Sequence, residues 1–167
     1  MVVVMADPGP PAAWLGSLEA ARPTTRRIRT GQWTIVVTRD RFADAVSCQM
    51  RAHDVTYAGG AVTFHFGAKV HTYEASYRID DGPAISWRAN AMTLAQTGAL
   101  TPSDDLLNPS GGRVTLPAKL LDGAQSVTVR TSARARPRTF RIGDLAEALT
   151  TAAAAGCGPD FAPDSQP

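Results

Sequence analysis

The sequence predicts a mainly β domain, an antiparallel sandwich or partly open barrel of about seven to eight strands with a C-terminal helix packed on it. Three observations lead to this fold class. Short runs in which apolar and polar residues alternate recur along the chain. Glycine, proline and aspartate separate these runs, as is typical of turns. One stretch near the C-terminus instead spaces its apolar residues as a helix does.

Composition limits the size and class of the protein. The 167 residues suffice for one domain with a hydrophobic core. An apolar fraction of 44% with 19% charged residues is typical of a globular chain, and a net charge of +2 does not indicate a polyanionic partner for the whole molecule. We expect a flexible lead-in over residues 1–30, a single β-rich domain over 31–157 and a disordered tail over 158–167. The sequence contains no apolar run of about 20 residues, so we expect no transmembrane segment.

The first two predicted strands are "QWTIVVT" and "VSCQMRA", joined by the loop "DRFADA". In the first, Trp33 and Ile35 alternate with polar or smaller residues, which gives the strand one mainly apolar face. In the second, the side chains of Cys48 and Met50 point to the same side of the strand. We therefore expect a hairpin with Cys48 on the side of the core.

The segment "FHFGAKVHTYEASYRID" contains two histidines and predicts a further hairpin. Pairing Val62 with Tyr77 collects the apolar residues on one face and places His65 opposite Glu74 on the polar face. His71 then falls in the connecting loop. Because a zinc site takes three or four protein ligands, we interpret His65 and Glu74 as a polar surface pair and predict no metal site.

The second half of the chain continues the β pattern. "RIDDGPAISWRA" predicts strand, turn and strand, and "RVTLP", "SVTVR" and "RTFRI" predict three more strands. The joint between the last two is rich in arginine: Arg130, Arg134, Arg136, Arg138 and Arg141. Since no aromatic residues alternate with these arginines, we interpret the joint as an exposed loop and predict no nucleic-acid partner.

The stretch "GDLAEALTTAAAAGC" predicts the C-terminal helix. Asp144 suits the positive end of a helix dipole, and Gly156 is a typical helix end, directly before Cys157. The two cysteines are 109 positions apart, a spacing that fits no zinc or redox motif. They are either two buried free thiols or one long-range disulfide. The inward parity of Cys48 and the place of Cys157 at a helix end favour the disulfide, and with it an oxidising compartment.

The order of "GQWTIVV", "SCQM", "YRIDDGP", "VTLPAKLLDGAQSVTVR" and "FRIGDLAEALTTAAAAGC" resembles the layout of small secreted proteobacterial proteins, best represented by the invasion-associated locus B proteins. The resemblance covers about residues 31–157. It implies a β-sandwich or partly open barrel exported to the periplasm or beyond, with no catalytic residues to transfer. This chain departs from it in having two cysteines and no legible signal peptide, which leaves a cytoplasmic location as the alternative.

For function, the sequence favours a binding protein over an enzyme. It contains no nucleophile elbow, phosphate-binding loop, dinucleotide fingerprint or zinc-protease motif, and it suggests no cofactor. The first hypothesis is a periplasmic or secreted non-enzymatic module that binds a protein or an envelope component. The alternative is a small-molecule binder with an aromatic-lined pocket formed by Trp33, Phe64, Tyr77 and Trp87.

Overall fold

The computed structural model describes residues 22–96 and 111–158, which form antiparallel strands and two helices. One sheet contains β1 (Thr24–Thr30), β2 (Trp33–Asp40), β3 (Ala45–Ala52), β4 (Val55–Ala58), β5 (Ala61–His65) and β8 (Arg113–Pro117). The other contains β6 (Ser76–Ile79), β7 (Ile85–Ser86), β9 (Ser126–Arg130) and β10 (Arg138–Arg141). The helices are α1 (Trp87–Gln96) and α2 (Leu145–Ala154), and a 3₁₀ turn covers Ala118–Leu121. The predicted mainly β class is confirmed, with ten strands in the described residues.

The first sheet has the spatial order β1-β2-β3-β4-β5-β8 and begins as a meander. Its predicted β2–β3 hairpin is confirmed, with Ile35 opposite Met50 and Val37 opposite Cys48. Trp33 and Ile35 are fully buried, as their shared parity requires. The strand alternation therefore places the inner face of this sheet correctly from sequence alone.

The second sheet has the order β10-β9-β6-β7, and it corrects the predicted hairpin between β5 and β6. Val62 pairs with Tyr57 of β4 and with Leu116 of β8, whereas Tyr77 pairs with Val129 of β9. The strand β4, which the prediction missed, has only four residues. A tight turn at Gly59 and Gly60, both at positive φ, joins β4 to β5. β5 therefore forms its hairpin with β4, which is nearer in sequence than β6.

A shared core joins the two sheets. The Phe64 ring of β5 lies 4.9 Å from the Phe140 ring of β10, centroid to centroid. The buried Trp87 donates its Nε1–H to the carbonyl oxygen of Thr115 at 2.9 Å, which ties the start of α1 to the edge of the first sheet. The predicted strand "ISWRA" is therefore wrong beyond Ser86, because the chain turns helical at Trp87.

The helix α2 lies against β1 and β2 and buries Leu145, Ala148 and Ala152. It ends as predicted before Gly156, which has a φ of +94°. Cys157 follows and forms a disulfide with Cys48, with 5.8 Å between the two Cα atoms. The predicted bond is confirmed, and it ties the end of the C-terminal helix to β3.

The N-terminal boundary needs a correction. The predicted lead-in over residues 1–30 includes β1, which pairs with β2 along its whole length, from Thr24 opposite Arg39 to Thr30 opposite Trp33. The prediction failed because β1 is polar and exposed except near its end. Residues 1–21 lie outside the described part of the chain, as does the predicted tail beyond Gly158.

Candidate binding surface

The structure separates the two members of the predicted polar pair. His65 ends β5, with its Nε2 2.8 Å from the Thr56 hydroxyl and Arg113 as its cross-strand neighbour. Glu74 is exposed in the segment that leads into the second sheet. The pair does not form because it depended on a β5–β6 hairpin, and those strands belong to different sheets. Within the described residues, no three metal-ligating side chains lie close enough to hold a metal ion.

The four predicted pocket residues belong to the core. Trp33, Phe64, Tyr77 and Trp87 are each at most 2% exposed. Burial raises the pKa of Tyr77, and a 2.6 Å hydrogen bond from the Asn90 amide to its hydroxyl opposes that rise. Side chains packed this closely line the protein interior, so their arrangement favours a structural role over a ligand cage.

A polar contact also bridges the two sheets. Asp54, in the β3–β4 turn, accepts a hydrogen bond from the guanidinium of Arg138, which lies over the Phe140 ring at 4.8 Å from its centroid. The Arg138 hydrogen bond holds the pKa of Asp54 below its usual value, and His53 at 3.3 Å acts in the same direction. One arginine of the predicted basic joint is thus occupied in holding the sheets together.

The outer face of the second sheet brings three other arginines together. Strand register places Arg78 opposite Thr128, Arg130 opposite Ser76, and Arg141 opposite Ser126. Directly opposed side chains lie about 4.5–5.5 Å apart at Cβ, and diagonal ones about 7–8 Å. We call this set the arginine face; its members are Arg78, Arg130, Arg141, Ser76, Ser126, Thr128 and Thr139.

The charges of the arginine face are available for a ligand. All three arginines are exposed, and among the described residues none of them takes part in an ion pair. The Thr128 hydroxyl, at the centre of the face, lies 2.8 Å from that of Thr139. Side chains with unmatched positive charge around small hydroxyl groups are suited to bind an anion.

A groove of about 390 Å³ runs along part of this face. Arg78, Arg130, Ser76 and Thr128 contribute to its lining. The groove therefore contains two of the three unpaired arginines, Arg78 and Arg130, and gives a ligand a concave place to bind beside them.

Two carboxylates line the turn end of the same groove. Asp80 accepts hydrogen bonds from the backbone N–H groups of Gln125 at 3.0 Å and Ser126 at 2.8 Å, and from the Ser126 hydroxyl at 3.3 Å. It therefore fixes the start of β9 and occupies the Ser126 hydroxyl. Asp81 is exposed beside it. The turn end of the groove is therefore less favourable for an anion than the part that contains Arg78, Arg130 and Thr128.

Sequence reasoning noted Arg130 and Arg141 only as members of a loop and placed Arg78 in the wrong hairpin. The signal that would have found the face is the parity of "SYRI", "SVTVR" and "RTFR", whose outward residues are serine, threonine or arginine. These outward residues can be recognised as one surface only when the three strands are known to be neighbours.

Comparisons with protein-family models, with curated proteins and with solved structures find no match to this chain. The fold and the arginine face are therefore the observations from which function is argued. In the described residues, no helix combines the length and the apolar character needed to cross a membrane.

Proposed function

We propose that this protein is an exported, non-enzymatic binding module that holds phosphate groups of a cell-envelope component on its arginine face. The observation that carries the proposal is the triangle formed by Arg78, Arg130 and Arg141 around the Thr128 hydroxyl. In the described structure their guanidinium groups have no anionic partner, so the positive charge is free to act on a ligand.

The chemistry of the face favours phosphate. A guanidinium donates two parallel hydrogen bonds to a phosphate, and serine and threonine hydroxyls donate to its remaining oxygens. The outward residues of these described strands carry hydroxyl and guanidinium groups without an aromatic ring. Stacking on aromatic rings supplies much of the binding of single-stranded nucleic acid, so this composition supports a phosphate-bearing envelope component instead.

Two further features support export. The Cys48–Cys157 disulfide is of a kind that forms and persists in oxidising compartments. The resemblance in layout to the invasion-associated locus B proteins implies the periplasm or the exterior. The buried positions of Trp33, Phe64 and Trp87 favour this binding-module hypothesis over an aromatic-lined pocket in the protein interior.

The test is binding to phosphatidylcholine vesicles with and without phosphatidic acid, and to soluble inorganic polyphosphate. The site variant is R78S/R130S/R141S. Its matched control, R27S/R29S/R51S, removes the same charge from exposed positions on the first sheet. An arginine near an anionic surface contributes about 1 kcal/mol, so we expect the site variant to bind about a hundredfold more weakly. We expect the control variant to stay within about threefold of wild type.

The outcomes separate the sources of phosphate. Binding to both probes supports a phosphate site, whereas binding to vesicles alone assigns the ligand to a lipid surface. Equal losses in the site variant and its control would show that binding follows net charge alone, and the proposed site would be wrong. Failure of wild type to bind either probe would contradict the proposed function itself.

A further inference from the structure

The strand β1 leaves one edge of the first sheet unpaired. It pairs with β2 along all seven residues, and within the described residues no strand lies on its other side. Seven residues span about 24 Å of extended backbone. Unpaired N–H and C=O groups along such an edge form a template for another strand.

The charge of this edge is entirely positive. Arg26, Arg27 and Arg29 are exposed, and in the described structure none of them forms an ion pair. Arg27 and Arg29 share the outer face of the sheet, opposite Val36 and Thr34. Between them, Ile28 points to the inner face and packs against the core. From Arg27 to Arg29 the side chains therefore run charged, apolar, charged, and Arg26 adds a further positive charge next to them.

This charge pattern disfavours pairing of β1 with β1 of a second copy of the same chain. In an antiparallel pair of two β1 strands related by a two-fold axis, centring on Arg27 places that residue opposite itself. Moving the centre by one residue, to Ile28, places Arg27 opposite Arg29. Like charges in directly opposed positions destabilise a sheet. The arginines thus protect the edge from self-association, a common device at exposed edges.

The same pattern fits an acidic strand. A partner strand would place one residue opposite each of Arg29, Ile28 and Arg27, in that order. Carboxylates at its first and third positions would face the two guanidiniums about 4.5–5.5 Å away at Cβ, and an aliphatic residue between them would cover Ile28. We propose that β1 is the docking edge for an extended acidic segment of another protein, with two carboxylate residues flanking an aliphatic one.

The experiment measures fluorescence anisotropy of a labelled peptide containing Glu-Val-Glu, titrated with the full-length, disulfide-bonded protein. A peptide containing Glu-Pro-Glu keeps the charge but removes one backbone donor and disfavours a sheet. The protein variants are R27E/R29E and a control, R41E/R134E, which reverses two exposed charges away from β1.

We expect Glu-Val-Glu to bind wild type and the control with similar affinity and to bind R27E/R29E at least about tenfold more weakly. The variant should instead gain affinity for a Lys-Val-Lys peptide, a rescue that an unfolded variant would not show. The proposal is overturned if wild type fails to bind Glu-Val-Glu, if Glu-Pro-Glu binds as well, or if both charge reversals weaken binding equally. Substitution of the arginine face leaves this binding unchanged, so the test is independent of the proposed phosphate site.

Discussion

Removing the disulfide tests how the C-terminal helix is held. The bond joins Cys48 on β3 to Cys157 at the end of α2, across 109 residues of chain. In the chain-entropy model, closing a loop of that length stabilises the folded state by about 5 kcal/mol, and losses measured for native disulfides are about 2–5 kcal/mol. Cys157 is buried and Cys48 packs against the core, so truncation also removes packing contacts. We expect C48A/C157A to lose about 3–5 kcal/mol.

That loss is large compared with the stability of an ordinary domain, about 5–15 kcal/mol in total. For a chain of this size it corresponds to a fall in Tm of about 6–20 °C. The assay is equilibrium urea unfolding monitored by fluorescence of the buried Trp33 and Trp87, with and without reductant. Reductant should destabilise wild type and leave the double variant unchanged.

Two results would contradict this role of the disulfide. One is a double variant within about 1 kcal/mol of wild type, which would mean that the packing of α2 alone holds the helix in place. The other is two titratable thiols in the unfolded protein isolated from an oxidising compartment. The second result would also remove the main support for export.

Three single substitutions, one of them with a matched control, test other contacts. Gly31 has a φ of +55°, and a Cβ there would overlap the Asp144 carboxylate, so we expect Gly31→Ala to lower the free energy of unfolding by about 1–3 kcal/mol in urea titrations. The hydrogen bond from Arg138 lowers the folded-state pKa of Asp54 below its ordinary 3.8. The ion pair therefore stabilises the folded protein above pH 3.8, and this stabilisation is lost as the pH falls through the folded-state pKa. Asp54→Asn should therefore be less stable than wild type at neutral pH, and the difference should narrow as the pH falls through the folded-state pKa; an unchanged difference in acid would contradict the assignment. Phe64 is fully buried, so Phe64→Ala should lose about 3–5 kcal/mol, whereas Phe42→Ala, at a position 89% exposed, should be nearly neutral.

Local patterns in the sequence predicted much of this fold. Alternation placed Trp33, Ile35 and Met50 on the inner face, because strand parity depends only on neighbouring residues. The same parity, with the glycine that ends α2, predicted the partners of the disulfide. These inferences succeeded because each depends on patterns within a strand or a helix and not on which strands are neighbours.

Local patterns could not predict which strands pair with each other. An apolar face on β5 fits β6 as well as it fits β4, and periodicity cannot distinguish them. The four-residue β4 is too short to show a period, and β1 carries too little apolar surface to be recognised. The arginine face depends on the neighbours chosen for β6, so Arg78 could not be placed beside Arg130 from sequence.

The measurement that most directly tests the central proposal is heteronuclear NMR of the disulfide-bonded protein during titration with soluble inorganic polyphosphate. If the arginine face is the phosphate site, the side-chain N–H signals of Arg78, Arg130 and Arg141 and the backbone amide of Thr128 shift together and saturate at one affinity. If those signals stay unchanged while signals from β1 or the β2–β3 loop shift, or if no signal shifts, the arginine face does not bind phosphate and the proposed function is contradicted.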